Sequence, residues 1–261
     1  MAKKYLGQHF LTSEKIVGDI LDAAELQKND VVLEIGPGKG VLTQGLLKKV
    51  AKVIAIEKDA ELIPFLSEKF RTELDEKRLT LIEKDILSVR TEDVIQGAYK
   101  VVANIPYYIT GALFEFFLTS DHQPERIVFL TQKEVAHRIV ARDGKESILS
   151  MSIKVYGTPK YVERVPARYF SPQPKVDSAI LAIRDISKRS FSEVCEEMYF
   201  KILKAGFRHK RKLLMNNLEM LYPKPVLESK FKSCSVPPDS RAENLRAENW
   251  LCLAKNVSQQ K

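Results

Sequence analysis

Little in this chain would let it cross a membrane, wind into a fibre or rely on covalent staples. No apolar run approaches the roughly 20 residues that a membrane-spanning helix needs. The basic start Met1-Ala2-Lys3-Lys4 is followed by no apolar stretch, so a secretory leader is not expected either. Glycine and proline are scarce, at 11 and 12 of 261 residues, which excludes a collagen-like chain. There are only three cysteines, Cys195, Cys234 and Cys252, widely spaced and odd in number. They read as neither a disulfide framework nor a metal knuckle, and no metal is expected. A reducing, cytoplasmic compartment fits that usage. What is present is globular: 44% hydrophobic and 29% charged residues exclude disorder of the whole chain.

The charge of +8 is unevenly placed. Residues 186–261 hold 15 Lys and Arg against 8 Asp and Glu, whereas residues 1–185 hold 27 against 26. The basic character therefore sits in the last stretch of chain. A solvated surface accounts for some of it, but the concentration points to a polyanion, most often nucleic acid.

The first 185 residues alternate strand-like and helix-like segments. Val31–Ile35, Val53–Ile56, Leu79–Ile82, Lys100–Ala103 and Arg126–Leu130 read as buried strands. Val41–Val50, Ala60–Phe70, Ile109–Leu118 and Glu134–Val140 carry helical spacing. This alternation predicts an α/β domain with a mostly parallel sheet covered on both faces. Ser147–Tyr156 reads as either helix or strand. Tyr161–Val165 and Asp177–Ile183 read as late strands forming an antiparallel edge, with a Pro166–Pro174 loop between them. From Phe191 the pattern is helical, near 191–205, 208–221, 225–233 and 243–256, which predicts a small all-α domain over 186–261.

The segment Glu34-Ile35-Gly36-Pro37-Gly38-Lys39-Gly40 ends the first of these strands and opens a helix. Glycines there let a ligand approach the backbone closely. A dinucleotide fingerprint needs Gly-x-Gly-x-x-Gly; here the third glycine comes one residue early and Val41 holds its place. No Gly-Lys-Ser/Thr is present, so a Walker loop is excluded. Glu34 would repel a pyrophosphate and attract an ammonium, which suits S-adenosylmethionine. Glu57, 23 positions on, ends the next strand, where a carboxylate accepts hydrogen bonds from both ribose hydroxyls. Asp85 follows the third strand, where an adenine amino group would be read.

Asn104-Ile105-Pro106-Tyr107 follows the fourth strand. An adenine exocyclic amine is a poor nucleophile because its lone pair is delocalised into the ring. Hydrogen bonds from its two N–H groups to the Asn104 oxygen and the Pro106 carbonyl would draw the nitrogen towards tetrahedral geometry, with proline fixing the turn. Tyr107 would stack on the base. Catalysis of this kind is mostly orientation and electrostatics.

These motifs resemble the KsgA family of rRNA adenine N6-dimethyltransferases over nearly the whole chain. Its N-terminal pattern is matched by Leu6-Gly7-Gln8-His9-Phe10-Leu11, its glycine motif by Glu34–Gly40 and its catalytic motif by Asn104–Tyr107 with Ile109-Thr110. A late motif is matched by Phe170-Ser171-Pro172-Gln173-Pro174-Lys175-Val176-Asp177-Ser178. The basic segment Phe207-Arg208-His209-Lys210-Arg211-Lys212-Leu213, with Asn216-Asn217-Leu218, matches the second domain. The chain departs from the family at Ile105, where Leu is usual, and at Tyr108, where Asn is usual. Ile105 also resembles the erythromycin-resistance methyltransferases of the large subunit.

The resemblance implies a Rossmann-like class I methyltransferase domain over 1–185 and a helical RNA-binding domain over 186–261. It implies cofactor contacts from His9, Leu11, Gly36, Glu57, Asp85 and Asn104, beside Glu34 and Gly38. It places Phe170 across the base from Tyr107, which requires the base to leave its stack. Arg208, Lys210, Arg211 and Lys212 would meet rRNA phosphates. The expected substrate is two adjacent adenosines in a small-subunit rRNA hairpin, and the expected partner is the small ribosomal subunit. A large-subunit enzyme, an assembly factor acting by binding and a nicotinamide-dependent oxidoreductase are the competing readings. His122 and His137 read as structural or solvent-facing, and Trp250 as a core anchor.

Overall fold

A computed structural model describes residues 9–258. In chain order its elements are β1 (Phe10–Leu11), α1 (Glu14–Ala23), β2 (Val31–Ile35), α2 (Val41–Leu47), β3 (Lys52–Glu57), α3 (Ile63–Lys69), α4 (Arg71–Asp75), β4 (Leu79–Glu83), α5 (Thr91–Val94), β5 (Lys100–Asn104) and α6 (Thr110–Thr119). There follow β6 (Arg126–Gln132), α7 (Lys133–Val140), α8 (Ile148–Lys154), β7 (Thr158–Val165), β8 (Phe170–Ser171), β9 (Ser178–Arg184), α9 (Glu196–Gly206), α10 (Leu214–Leu218), α11 (Lys224–Ser233) and α12 (Ala247–Ser258).

Two compact units result. The first takes the chain up to Ala136 together with Pro159–Ile186; the second takes His137–Thr158 and the chain from Ser187 onward. A single boundary after residue 185 does not describe this arrangement. Residues 137–158 return to the helical unit, and Ser147–Tyr156 resolves as the helix α8, started by a capping box in which the Ser147 hydroxyl accepts from the Ser150 N–H.

In the first unit a seven-stranded sheet has the order β4-β3-β2-β5-β6-β9-β7. Strands β2 to β6 are parallel, with Leu33 level with Ile54 on one side and Val101 on the other. They carry Val32, Leu33, Val53, Val101, Val102, Ile127 and Val128, all inaccessible to solvent, as strands covered on both faces require. β9 runs antiparallel to β6, with Phe129 opposite Leu181, and β7 lies beyond it. The chain steps outward from β2 through β3 to β4, then returns to β5 and continues to β6 on the other side. The carboxyl ends of β2 and β5 therefore diverge, which opens a crevice between them.

α1 and β1 have no counterpart in the sequence reading, nor do β8 and the short helices α4 and α5. α1 begins where Ser13 accepts from the Ile16 N–H at 3.4 Å, and buries Ile16, Val17, Ile20 and Leu21. β1 pairs antiparallel with β8 inside the expected Pro166–Pro174 loop, Leu11 opposite Phe170. The motif residues Leu6, Gly7 and Gln8 lie outside the described residues.

In the second unit Trp250 on α12 is 0% exposed and stacks on Phe207 at 5.6 Å. A Cβ on Gly206 would come within 2.4 Å of its ring, so glycine lets α9 and α12 close together. Tyr199 is buried and donates to the Met151 carbonyl, tying α9 to α8. The expected helix over 208–221 is formed only as α10, and its basic first part is not helical. α9 ends at Gly206 and α10 starts at Leu214, leaving Arg208–Lys212 as an exposed turn. Buried Asn217 holds that turn, its Nδ2 donating to the Gly206 carbonyl at 2.7 Å and the His209 carbonyl at 3.1 Å. The cysteine reading also needs correction. Packing of α11 on α12 brings Cys234 and Cys252 to a Cα separation of 5.6 Å, and they form a disulfide, while Cys195 is free and exposed. Among the described residues no helix is long and apolar enough to cross a membrane.

Candidate active site

The crevice at the sheet's carboxyl edge is a cleft of about 340 Å³ within the first unit. Its wall includes His9 and Leu11, Glu34, Gly36 and Gly38, Glu57, Asp85, and Asn104, Pro106 and Tyr107. The expected cofactor and catalytic residues thus converge on one cleft, with one exception. Phe170 is 5% exposed, packs in the core and is not among the residues that line the cleft. Its pairing with Leu11 keeps the ring inside, so the second stacking face expected of it is absent from this arrangement.

The glycine loop is shaped by close packing. Gly38 has φ 58° and Gly40 has φ 73°, left-handed values that disfavour any side chain. A Cβ on Gly38 would meet Phe10 at 2.9 Å, and one on Gly40 would meet Phe70 at 2.4 Å. The loop is pinned from two sides. Glu57 accepts the Gly38 N–H at 3.1 Å through Oε2 and the Asp59 N–H at 2.9 Å through Oε1. Lys69, which the sequence did not single out, donates to the Lys39 carbonyl at 2.8 Å from the other side.

Glu34 is 1% exposed, and its Oε2 has no hydrogen-bond partner among the described residues. Burial pushes its carboxyl up to about 8, with the charge of Glu57 adding to the effect and Thr43 opposing it. Sequence reasoning expected a carboxylate here; burial favours the neutral acid at pH 7. Burial also raises Glu57, against the backbone N–H groups that favour its charged form.

Asp85 is committed on both oxygens. Oδ2 pairs with the Lys58 ammonium at 2.8 Å, which holds its carboxyl below the usual range, and Oδ1 accepts the Leu87 N–H at 3.1 Å. Asn104 donates from Nδ2 to the His9 carbonyl at 3.0 Å. The Pro106 carbonyl accepts the Ile109 N–H at 3.3 Å and retains its second lone pair. Tyr107 is held by a 2.8 Å hydrogen bond between its hydroxyl and Ser178, and its ring lies at 23° to that of His9. Lys58, Lys84, Leu87 and Tyr108 also face the cleft, and no motif in the sequence placed them there. Among the described residues no group of three or more His, Cys, Asp or Glu is placed to hold a metal ion.

A sheet with this strand order, a glycine loop after its first central strand and acids at successive strand ends define a Rossmann-like methyltransferase fold. Within that class the assignment is specific. Residues 1–259 match the family described as ribosomal RNA adenine dimethylase, and the chain belongs to that family.

It is 44% identical to the ribosomal RNA small subunit methyltransferase A of Dehalococcoides mccartyi, over 97% of this chain and 88% of that protein. It is 38% identical to the protein of the same name from Synechococcus elongatus, over 98% and 95%. Among solved structures, a dimethyladenosine transferase from Plasmodium falciparum superposes with a TM-score of 0.76 at 28% identity, covering 94% of this chain and 96% of that one. The 23S rRNA methyltransferase ErmE also gives 0.76, at 27% identity, covering 96% and 100%. The chain is therefore a methyltransferase, and its family implies a donor of the S-adenosylmethionine type. The cleft fits one: its volume is within the roughly 300–1,000 Å³ of small-ligand sites, and the unpartnered Glu34 oxygen on its wall is left as a hydrogen-bond partner for a polar ligand.

Proposed function

We propose that the chain dimethylates the N6 amino groups of two adjacent adenosines in a hairpin loop of small-subunit rRNA, using S-adenosylmethionine, in the cytoplasm and in the course of small-subunit biogenesis. The observation that carries this reading is the orientation of Asn104. Its nitrogen is committed to the His9 carbonyl, so Oδ1 is left as the acceptor in the cleft. An acceptor to which no donor is directed among the described residues suits an amine that has only N–H groups to offer. The small subunit is favoured because the relatives at 44% and 38% identity are named for it.

When bound, the donor supplies an electrophilic methyl group. The chain's residues do the rest by holding and orienting. Glu34, Gly36 and Gly38 face the amino-acid end of the donor. Glu57 presents its remaining lone pairs to the ribose hydroxyls, and Asp85 accepts from the adenine amine on the oxygen lone pairs that Lys58 and the Leu87 N–H leave open. His9 and Leu11 close the cleft from the N-terminal side. On the substrate side, Asn104 Oδ1 and the Pro106 carbonyl accept the two N–H groups of the target amine and turn its lone pair away from the ring. Tyr107, anchored by Ser178, presents a stacking face. No strong base is needed at this point, because the proton leaves late to solvent. The exposed turn with Arg208, Lys210, Arg211 and Lys212 meets rRNA phosphates.

The test is tritium transfer from labelled S-adenosylmethionine into purified subunits lacking the modification. Label entering small subunits supports the reading. Label entering only large subunits would transfer the assignment to the activity named for ErmE.

A further inference from the structure

Tyr108 is the most exposed large hydrophobic side chain among the described residues, at 65%, yet it lines the cleft. Its ring therefore has an uncovered face beside the ligand site. Its neighbour Tyr107 shows what the turn does. The short helical turn Tyr107–Ile109 sends the Tyr107 hydroxyl to Ser178 on β9, beside His9 and Asn104, which is the substrate side.

Tyr108 serves the other end. It lines the cleft together with Lys58 and Asp85, which pair at 2.8 Å; that pairing raises the Lys58 pKa, and Tyr108 adds a smaller effect in the same direction. Leu87, 42% exposed, lines the same end of the cleft. Two neighbouring aromatics thus divide the cleft between them, one at the target amine and one at the Asp85 end. That end has one carboxylate, Asp85, beside the cationic Lys58 and Lys84, and two exposed apolar surfaces, Tyr108 and Leu87. A flat heteroaromatic ring with an exocyclic amine is the ligand that Asp85 and the two apolar surfaces suit together.

We propose that Tyr108 is a donor-binding residue whose ring covers the adenine of S-adenosylmethionine, with Leu87 against the same base. The inference rests on the reading given under Proposed function, because it takes the Asp85 end as the adenosine end. It makes the solvent-exposed ring a cover that is buried only when the cleft is filled.

Binding of S-adenosylhomocysteine, which requires no turnover, tests it by titration calorimetry. Tyr108→Phe keeps the ring and should bind within about twofold of wild type. Tyr108→Ala should bind about tenfold more weakly, the scale of a lost stacking partner. A second readout is optical. Trp250 is the only tryptophan and is buried in the other unit, so Tyr108→Trp adds one responsive emitter. Its emission should be quenched by S-adenosylhomocysteine and unchanged by methionine, which lacks the base. Equal affinity of the alanine variant, or an emission that ignores S-adenosylhomocysteine, would overturn the inference while leaving the methyltransferase reading intact. If wild type itself fails to bind S-adenosylhomocysteine, that reading and this inference fall together.

Discussion

The Asn104 side-chain nitrogen donates to the His9 backbone carbonyl across 3.0 Å, joining the end of β5 to the residue just before β1. This one bond decides which face of the amide meets the substrate. Asn104→Asp replaces the donor with an acceptor facing another acceptor, and Asn104→Ala removes both groups. Each should lower kcat by about 10²-fold or more, as loss of a positioned transition-state partner does. His9→Ala retains the carbonyl and should cost far less at kcat. Single-turnover rates with small subunits check the order, and a His9→Ala defect as large as that of Asn104→Ala would refute it.

Glu57 holds the glycine loop and faces the cleft, so its removal should act on the donor. Glu57→Ala should weaken S-adenosylhomocysteine binding by about 1–3 kcal/mol, the range for hydrogen bonds to a charged group. Glu57→Gln retains one acceptor oxygen and should fall between. Titration calorimetry on folded protein measures both.

Much of this cleft is legible in the sequence alone. β2, β3, β5 and β6 are buried on both faces and the edge strand β4 keeps Leu79, Leu81 and Ile82, so all five read as apolar runs and their ends, and the residues Glu34, Glu57, Asp85 and Asn104 placed there, can be located. β1 has two residues and no period to read. α1 carries its signal in Ser13-Glu14 and the spacing of Ile16, Val17, Ile20 and Leu21, a cap and an apolar face that suffice to find it. Lys58 reaches the cleft through the turn that follows β3, which no local pattern reports, and Tyr108 sits in the recognised turn after β5 without a role read for it. The basic run looks helical because leucines recur from Leu213. The turn before them is set by Asn217, whose partners lie 8 and 11 residues away.

The pH dependence of stability should carry the mark of Glu34. Its pKa is raised from 4.5 to about 8, so the stability gained by burying the neutral acid is complete below pH 4.5 and is lost as pH rises through 8. Glu57 shifts in the same direction and Lys69, also facing Glu34, is lowered by burial. Thermal midpoints of wild type and Glu34→Gln between about pH 5 and 8.5 should diverge, the glutamine variant gaining on wild type as pH increases. A constant gap would mean that Glu34 is already charged in the folded protein.

The basic turn should govern subunit binding without touching the donor. Reversing Arg208 and Arg211 to Glu should weaken binding to small subunits and flatten its salt dependence, by about 0.7–0.9 in log–log slope for each phosphate no longer neutralised. Asn217→Ala frees the Gly206 and His209 carbonyls and should reproduce part of that loss by disordering the turn. Filter binding across a salt series measures both. Unchanged slopes would leave the turn as a solvated surface.

Nucleoside mass spectrometry of rRNA from treated subunits tests the central claim most directly. Unmodified small subunits incubated with the protein and S-adenosylmethionine should yield two N6,N6-dimethyladenosines per subunit, and Asn104→Ala should yield almost none. Dimethyladenosine in large-subunit rRNA instead, or none in either subunit from protein that binds S-adenosylhomocysteine, would contradict the account.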